Sequence, residues 1–203
     1  MNEKLKTTPE LLLEIEHHKK KVITVGEIMH IFREGGFGLM FIVFAGIPAL
    51  PFPAVGIATI LAIPILFFAI QLLIGRDYLW LPSWVMKKEF ETKSLNNMID
   101  KLLPYVKKLG FFLKPRLAFM SSKIGHRVVG FFCMICAFSV ALPFPLTNTL
   151  PSIAIVIMAL GLLERDGIAM IAGIISSIAG LVVISLVYYF GTEFIVDWAK
   201  YIF

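Results

Sequence analysis

The sequence predicts an all-α integral membrane protein. It is read as two internal repeats, each a Pro-broken or re-entrant helical hairpin, with amphipathic interfacial helices and one further C-terminal transmembrane helix. Composition is the first observation: 58% of the 203 residues are hydrophobic and 16% are charged, against about 25% charged in soluble domains. The second is that segments 37–75, 128–163 and 167–192 contain no Asp, Glu, Lys or Arg, and each exceeds the roughly 20 residues a spanning helix needs. The third is a repeated word, ALPFP, at 49–53 and again at 141–145.

Residues 1–23 read as a polar arm. It carries EIEHHKKK, and His17 and His18 are assigned to a solvated charged face in preference to a metal site. No apolar run of signal-peptide length precedes Phe37, so the first apolar segment is expected to direct insertion. Segment 24–36 predicts an interfacial helix. Thr24 and Glu27 have capping-box spacing, Val25, Ile28, Ile31 and Phe32 share one face, and Gly35–Gly36 ends the turn.

Segment 37–75 is the first broken hairpin and 128–166 the second. A shift of 92 residues superposes the two ALPFP words and places Gly38 on Gly130. After a three-residue gap, QLLIGRD (71–77) lies beside LGLLERD (160–166), pairing Arg76 with Arg165 and Asp77 with Asp166. Word, hydrophobic length and charged stop recur together, which predicts an internal duplication. The pieces flanking the breaks, 37–47, 128–142 and 150–163, would be helices of about 16–22 Å, too short for a core of about 30 Å. Backbone groups freed by proline cannot face lipid, so the broken elements must face protein or a polar cavity. A tight turn between tilted spans is the alternative.

Between the repeats, segment 76–127 holds 11 Lys or Arg against four acids, whereas the chain from Glu164 onward holds two bases and four acids. Basic residues set orientation, so 76–127 is expected in the cytoplasm. Its alternation with Trp80, Trp84 and Phe90 suits anionic lipid headgroups rather than nucleic acid, and it predicts two interfacial helices broken near Pro104 and Pro115. Segment 167–192 predicts a simple span and 193–203 a C-terminal tail.

The candidate ligand-binding residues cluster at the breaks and at the ends of the hairpins. Around the second break stand Pro143, Pro145, Thr147, Asn148 and Thr149. Good N-cap residues precede Pro151 there, so a helix starting near Leu150 would aim its positive dipole end and free N–H groups into the membrane, an arrangement suited to an anion. The first break offers Pro51, Pro53 and Thr59 and is less polar. Gln71 supplies either an interhelical hydrogen bond or a ligand contact. Arg76 and Arg165 read either as snorkelling anchors or as a basic vestibule for a phosphate headgroup, with Asp166 capping the helix that begins at Gly167.

No acid lies inside the apolar runs, which argues against a self-sufficient ion pump. No nucleophile elbow, HExxH or Gly-rich phosphate loop is present, so no catalytic residue, metal or cofactor is expected. Cys133 and Cys136 have CxxC spacing but no nearby His or acid, and are read as packing residues.

From Thr24 to about Tyr189 the chain resembles the ExoD family of bacterial exopolysaccharide-synthesis membrane proteins. The resemblance rests on GFGLMFIVFAGIPALPFP, QLLIGRDYLWLPSWV and, above all, ALPFPLTNTLPSIAIVIMALGLLERDG. The first break, LPFPAVG, lacks the Ser expected after the prolines, which weakens a hydroxyl role there. The resemblance implies a multi-pass protein of the bacterial inner membrane, in a pathway that assembles sugars on polyprenyl phosphate carriers. With the paired breaks it points to a transporter-like protein binding anionic membrane lipids such as polyprenyl phosphate. The alternative is a non-catalytic membrane partner that organises exopolysaccharide synthesis or export enzymes; the expected protein partners are those enzymes or further copies of the chain in a homo-oligomer.

Overall fold

A computed structural model describes residues 22–32, 35–50, 55–92, 96, 113–117, 119–142 and 148–202. The polar arm and the prolines of both ALPFP words lie outside the described residues. Seven helices and one small sheet are described: β1 Val22–Thr24, α1 Val25–Phe32, α2 Gly36–Gly46, α3 Val55–Ile74, α4 Ser83–Met86, β2 Glu89–Glu91, α5 Lys123–Ala141, α6 Thr149–Glu164 and α7 Gly167–Ile202.

Entry into the bundle follows local chemistry. The capping box forms: Thr24 N–H donates to Glu27 Oε2 at 2.9 Å and Glu27 N–H donates to Thr24 Oγ1 at 3.1 Å, an N-terminus worth about 1 kcal/mol. Helix α1 buries Val25, Met29 and Phe32. The sheet departs from the all-α expectation. Val22 pairs with Glu91 and Thr24 with Glu89, antiparallel, so EFE is a strand where an interfacial helix was expected. The β-branched Val22, Ile23 and Thr24 suit that pairing. Residues 113–115 carry no regular structure and Arg116 forms a parallel bridge with Asp166, so the chain is non-helical around Pro115, where a break was expected. The surroundings of Pro104 lie outside the described residues.

Among the described residues three helices are long and apolar enough to cross a membrane: Gly56–Ile74, Lys123–Ala141 and Gly167–Tyr189. Helix α2 has 11 residues and α6 has 16, about 16 and 24 Å, as short as expected. Helix α5 is longer than expected, because the charge-free run understated it. Ser122 Oγ accepts from Gly125 N–H and starts the helix at Lys123; Lys123 and Arg127 are exposed, where long cationic side chains reach water from a helix end. Helix α7 likewise runs on to Ile202, through the segment read as a tail.

Contacts order the helix ends. Lys123, opening α5, pairs with Asp77 just past α3 at 2.9 Å, and Arg127 Nη2 donates to the Ile74 carbonyl at 3.3 Å. Ser121 Oγ donates to the Arg165 carbonyl, just past α6, and Gly35, before α2, packs on Leu163. The starts of α2 and α5 and the ends of α3 and α6 thus share one end of the bundle, the base. At the opposite end Ala58 and Ala62 of α3 meet Val140 and Ala141 of α5.

Helix α2 packs on α6, and α3 packs on α5. Without a hydrophobic drive between helices in lipid, close approach of small residues must supply the attraction. Gly38 provides it against α6, where a Cβ would come within 2.6 Å of the Ala159 carbonyl oxygen; Gly130 provides it against α3, where a Cβ would come within 2.6 Å of Leu73 N. Large side chains turn outward instead, as with Ile57, Ile60, Ile63, Phe67, Ile70 and Ile74 along one stripe of α3.

Candidate functional site

The predicted site residues fall into two groups at opposite ends of the bundle. Asn148, Thr149 and Thr59 lie at the tip end; Gln71, Arg76 and Arg165 lie at the base. Pro51, Pro53, Pro143, Pro145 and Thr147 lie outside the described residues.

At the tip end, α6 starts at Thr149 with Pro151 as its third residue, where a missing N–H leaves no bond broken. Asn148 occupies the N-cap position but not the expected cap geometry: its backbone is already helical and its side chain caps nothing. Its carbonyl accepts from Ser152 N–H at 3.2 Å, while its side chain is buried with Oδ1 lacking a hydrogen-bond partner. One turn later Ser152 is fully buried and its Oγ also lacks a partner. A buried polar atom left unpaired costs about 1–3 kcal/mol. Two lie a turn apart beside the positive end of a helix, where the amide can turn to present its N–H groups and the hydroxyl can donate. With the amide so turned, the two side chains offer hydrogen-bond donors on one face of the helix. Ser152 was missed in the sequence, although its i+4 spacing from Asn148 places both on one helical face. Thr59 is half-buried in the second turn of α3.

At the base, Gln71 forms a clasp. Its Nε2 donates to the Trp80 carbonyl at 3.1 Å and its Oε1 accepts from Trp80 N–H at 2.9 Å, tying the loop after α3 back onto that helix. Arg76 and Asp77 are exposed. Their counterparts are not: Arg165 is half-buried in left-handed geometry, φ 54°, and Asp166 is buried. Asp166 Oδ1 accepts from Ile168 and Ala169 N–H, capping α7, and Oδ2 accepts from Lys114 N–H at 3.0 Å. That carboxylate fixes the end of the basic segment to the α6–α7 turn.

Cys133 and Cys136 are buried free thiols inside α5, and among the described residues no group of His, Cys, Asp or Glu has the geometry to hold a metal. A groove of about 420 Å³ lies between α5 and α7, lined by Ile135, Phe138, Ser139, Leu142, Leu181, Ile184, Ser185 and Tyr188.

Comparison with known proteins adds a family. The family described as "Exopolysaccharide synthesis, ExoD" matches residues 8–186. The uncharacterized protein slr1875 of Synechocystis sp. is 32% identical over 186 residues, 88% of each chain. Protein ExoD of Rhizobium meliloti is 33% identical over 157 residues, 74% of this chain and 64% of that protein, so the match spans just under two thirds of that relative. No solved structure matches. With the family match running from the polar arm into α7, the chain belongs to the ExoD family of exopolysaccharide-synthesis proteins.

Proposed function

We propose that this chain is a multi-pass protein of the bacterial inner membrane that binds, and passes across the bilayer, an anionic lipid of exopolysaccharide synthesis such as a polyprenyl phosphate. The carrying observation is the pair of buried, unpartnered polar groups, Asn148 Oδ1 and Ser152 Oγ, at the N-terminus of an apolar helix. A phosphate oxygen can accept from the Ser152 hydroxyl, and from the Asn148 amide once that group is turned to present its Nδ2–H. No catalytic step is assigned.

The packing supports a duplicated scaffold for this site. Exchanging α2 with α5 and α3 with α6 exchanges the α2–α6 contact with the α3–α5 contact, and both contacts are present. Ala62, Ile65, Ala69 and Leu72 of α3 are buried, as are their counterparts Pro151, Ala154, Met158 and Gly161 of α6. Because both hairpins start and end at the base, the two-fold relation is parallel, with its axis along the membrane normal. The basic residues around 76–127 orient the base to the cytoplasm, which turns Leu50 and Leu142 toward the far leaflet. Arg76 and Arg165 then form a cytoplasmic basic collar, Arg165 lying about 25 Å along α6 from Asn148.

Complementation of a strain deleted for its ExoD-family gene tests the reading. The paired variant Asn148→Ala, Ser152→Ala should abolish exopolysaccharide production at normal membrane abundance, and Arg165→Ala should reduce it if the headgroup passes the collar. Full complementation by the paired variant would sink the proposal. Loss confined to charge reversal at Lys107, Lys108 and Lys114 would favour the partner-organising alternative.

A further inference from the structure

We propose that the α5–α7 groove is the binding site for the hydrocarbon chain of the same lipid whose headgroup is assigned to Asn148 and Ser152. The inference rests on that headgroup reading and adds the tail. The occupant is a lipid chain rather than a second protein because the α7 wall of the groove adjoins the first turn of α6. Its lining begins at Leu181, and the preceding Gly180 abuts the first turn of α6, with a Cβ there meeting Leu150 Cβ at 3.4 Å and Pro151 N at 3.8 Å. On the other wall Leu142 lines the groove directly before the second ALPFP break is completed. An apolar trough thus lies next to the helix terminus that carries the two buried polar groups, which is the pattern of an amphipathic ligand.

The lining has the chemistry of a chain site. Leu181, Ile184, Ile135, Phe138 and Leu142, together with Ser139, Ser185 and Tyr188, line a mainly apolar trough of about 420 Å³, within the size range of built ligand pockets, about 300–1,000 Å³. Ser185 spends its hydroxyl on the Leu181 carbonyl at 2.8 Å, so it presents no polar demand to a hydrocarbon. From Leu181 to Tyr188 the trough runs two turns of α7, about 10 Å. By contrast the outward stripe of α3 is convex side chains, Ile57, Ile60 and Ile63, which bulk lipid covers without selection.

Photolabelling of the full chain in detergent tests this, with a long-chain alkyl phosphate bearing a terminal diazirine and the matching alcohol as probes. Adducts should concentrate on 135–142 and 181–188 and should fall by about tenfold in Ser185→Phe, an exposed position whose substitution fills the trough; Ser139→Phe is the second filling variant. Adducts spread equally over the α3 stripe in the unmodified chain, or unchanged by both variants, overturn the groove. So does exclusion of label by a second copy, seen as a dimer by light scattering. The headgroup reading fails separately. If phosphate and alcohol label the groove equally and Asn148→Ala with Ser152→Ala changes nothing, the groove stands and the headgroup site falls. If phosphate improves binding without groove adducts, the reverse holds. Excess inorganic phosphate should compete poorly; full competition by it would mark a free-phosphate site and overturn the tail assignment.

Discussion

Replacing Gly38 or Gly130 with alanine puts one methyl group between helix backbones. At each position the new Cβ would lie 2.6 Å from a main-chain atom of the facing helix, 0.8 Å short of the 3.4 Å where ordinary contact begins. Neither neighbour is a flexible side chain, so a whole helix must shift. Overpacking of this kind costs about 1–3 kcal/mol, roughly a five- to 150-fold change in the folding equilibrium. Gly46 and Gly56 are the controls: nothing lies within 4 Å of a Cβ at either. Alanine there should be neutral or stabilise by up to about 1 kcal/mol through helix propensity. Denaturant titration in detergent micelles, followed by far-ultraviolet circular dichroism, reads all four variants. Equal stability of Gly38→Ala and Gly46→Ala would refute the close α2–α6 packing, and the same result for Gly130→Ala and Gly56→Ala would refute α3–α5.

The remaining predictions concern the base and the orientation. Asp166→Ala removes the α7 cap and the acceptor of Lys114 N–H, and should cost about 2 kcal/mol in the same titration. Asp77→Ala removes only an exposed ion pair and should cost less than about 1 kcal/mol. Gln71→Leu should release the Trp80 loop, seen as a red shift and lower anisotropy of Trp80 fluorescence when Trp84 and Trp198 are replaced by Phe; an unchanged spectrum would refute the clasp. Single cysteines at Asp77 and Ser121, without Cys133 and Cys136, should react from the cytoplasmic side, and those at Leu50 and Leu142 should not. Labelling of one break from each side would refute the parallel arrangement.

What the sequence made legible was local. The Thr24–Glu27 box involves residues three apart, and the apolar runs announce spans through composition alone. Pairing of Val22 with Glu91 was invisible because short strands far apart in the chain carry no periodic signal. The start of α5 was misplaced because charges at Lys123 and Arg127 end a charge-free run without ending a helix. At the candidate site, the ALPFP words point to the start of α6, but the cap expected at Asn148 is absent: its backbone is helical and its oxygen stands unpaired. Ser152 looked like any polar residue in an apolar helix, and only its burial sets it apart. The clasp at Gln71 depends on where the Trp80 loop returns, which spacing does not encode.

Equilibrium binding of undecaprenyl phosphate to the purified chain decides whether the tip of α6 holds a phosphate headgroup. Hydrogen bonds to a charged group contribute about 1.5–3 kcal/mol each, so the variant carrying Asn148→Ala and Ser152→Ala should bind at least about tenfold more weakly, while binding of undecaprenol stays weak and unchanged. Equal affinity of the unmodified chain and the variant for the phosphate would contradict it.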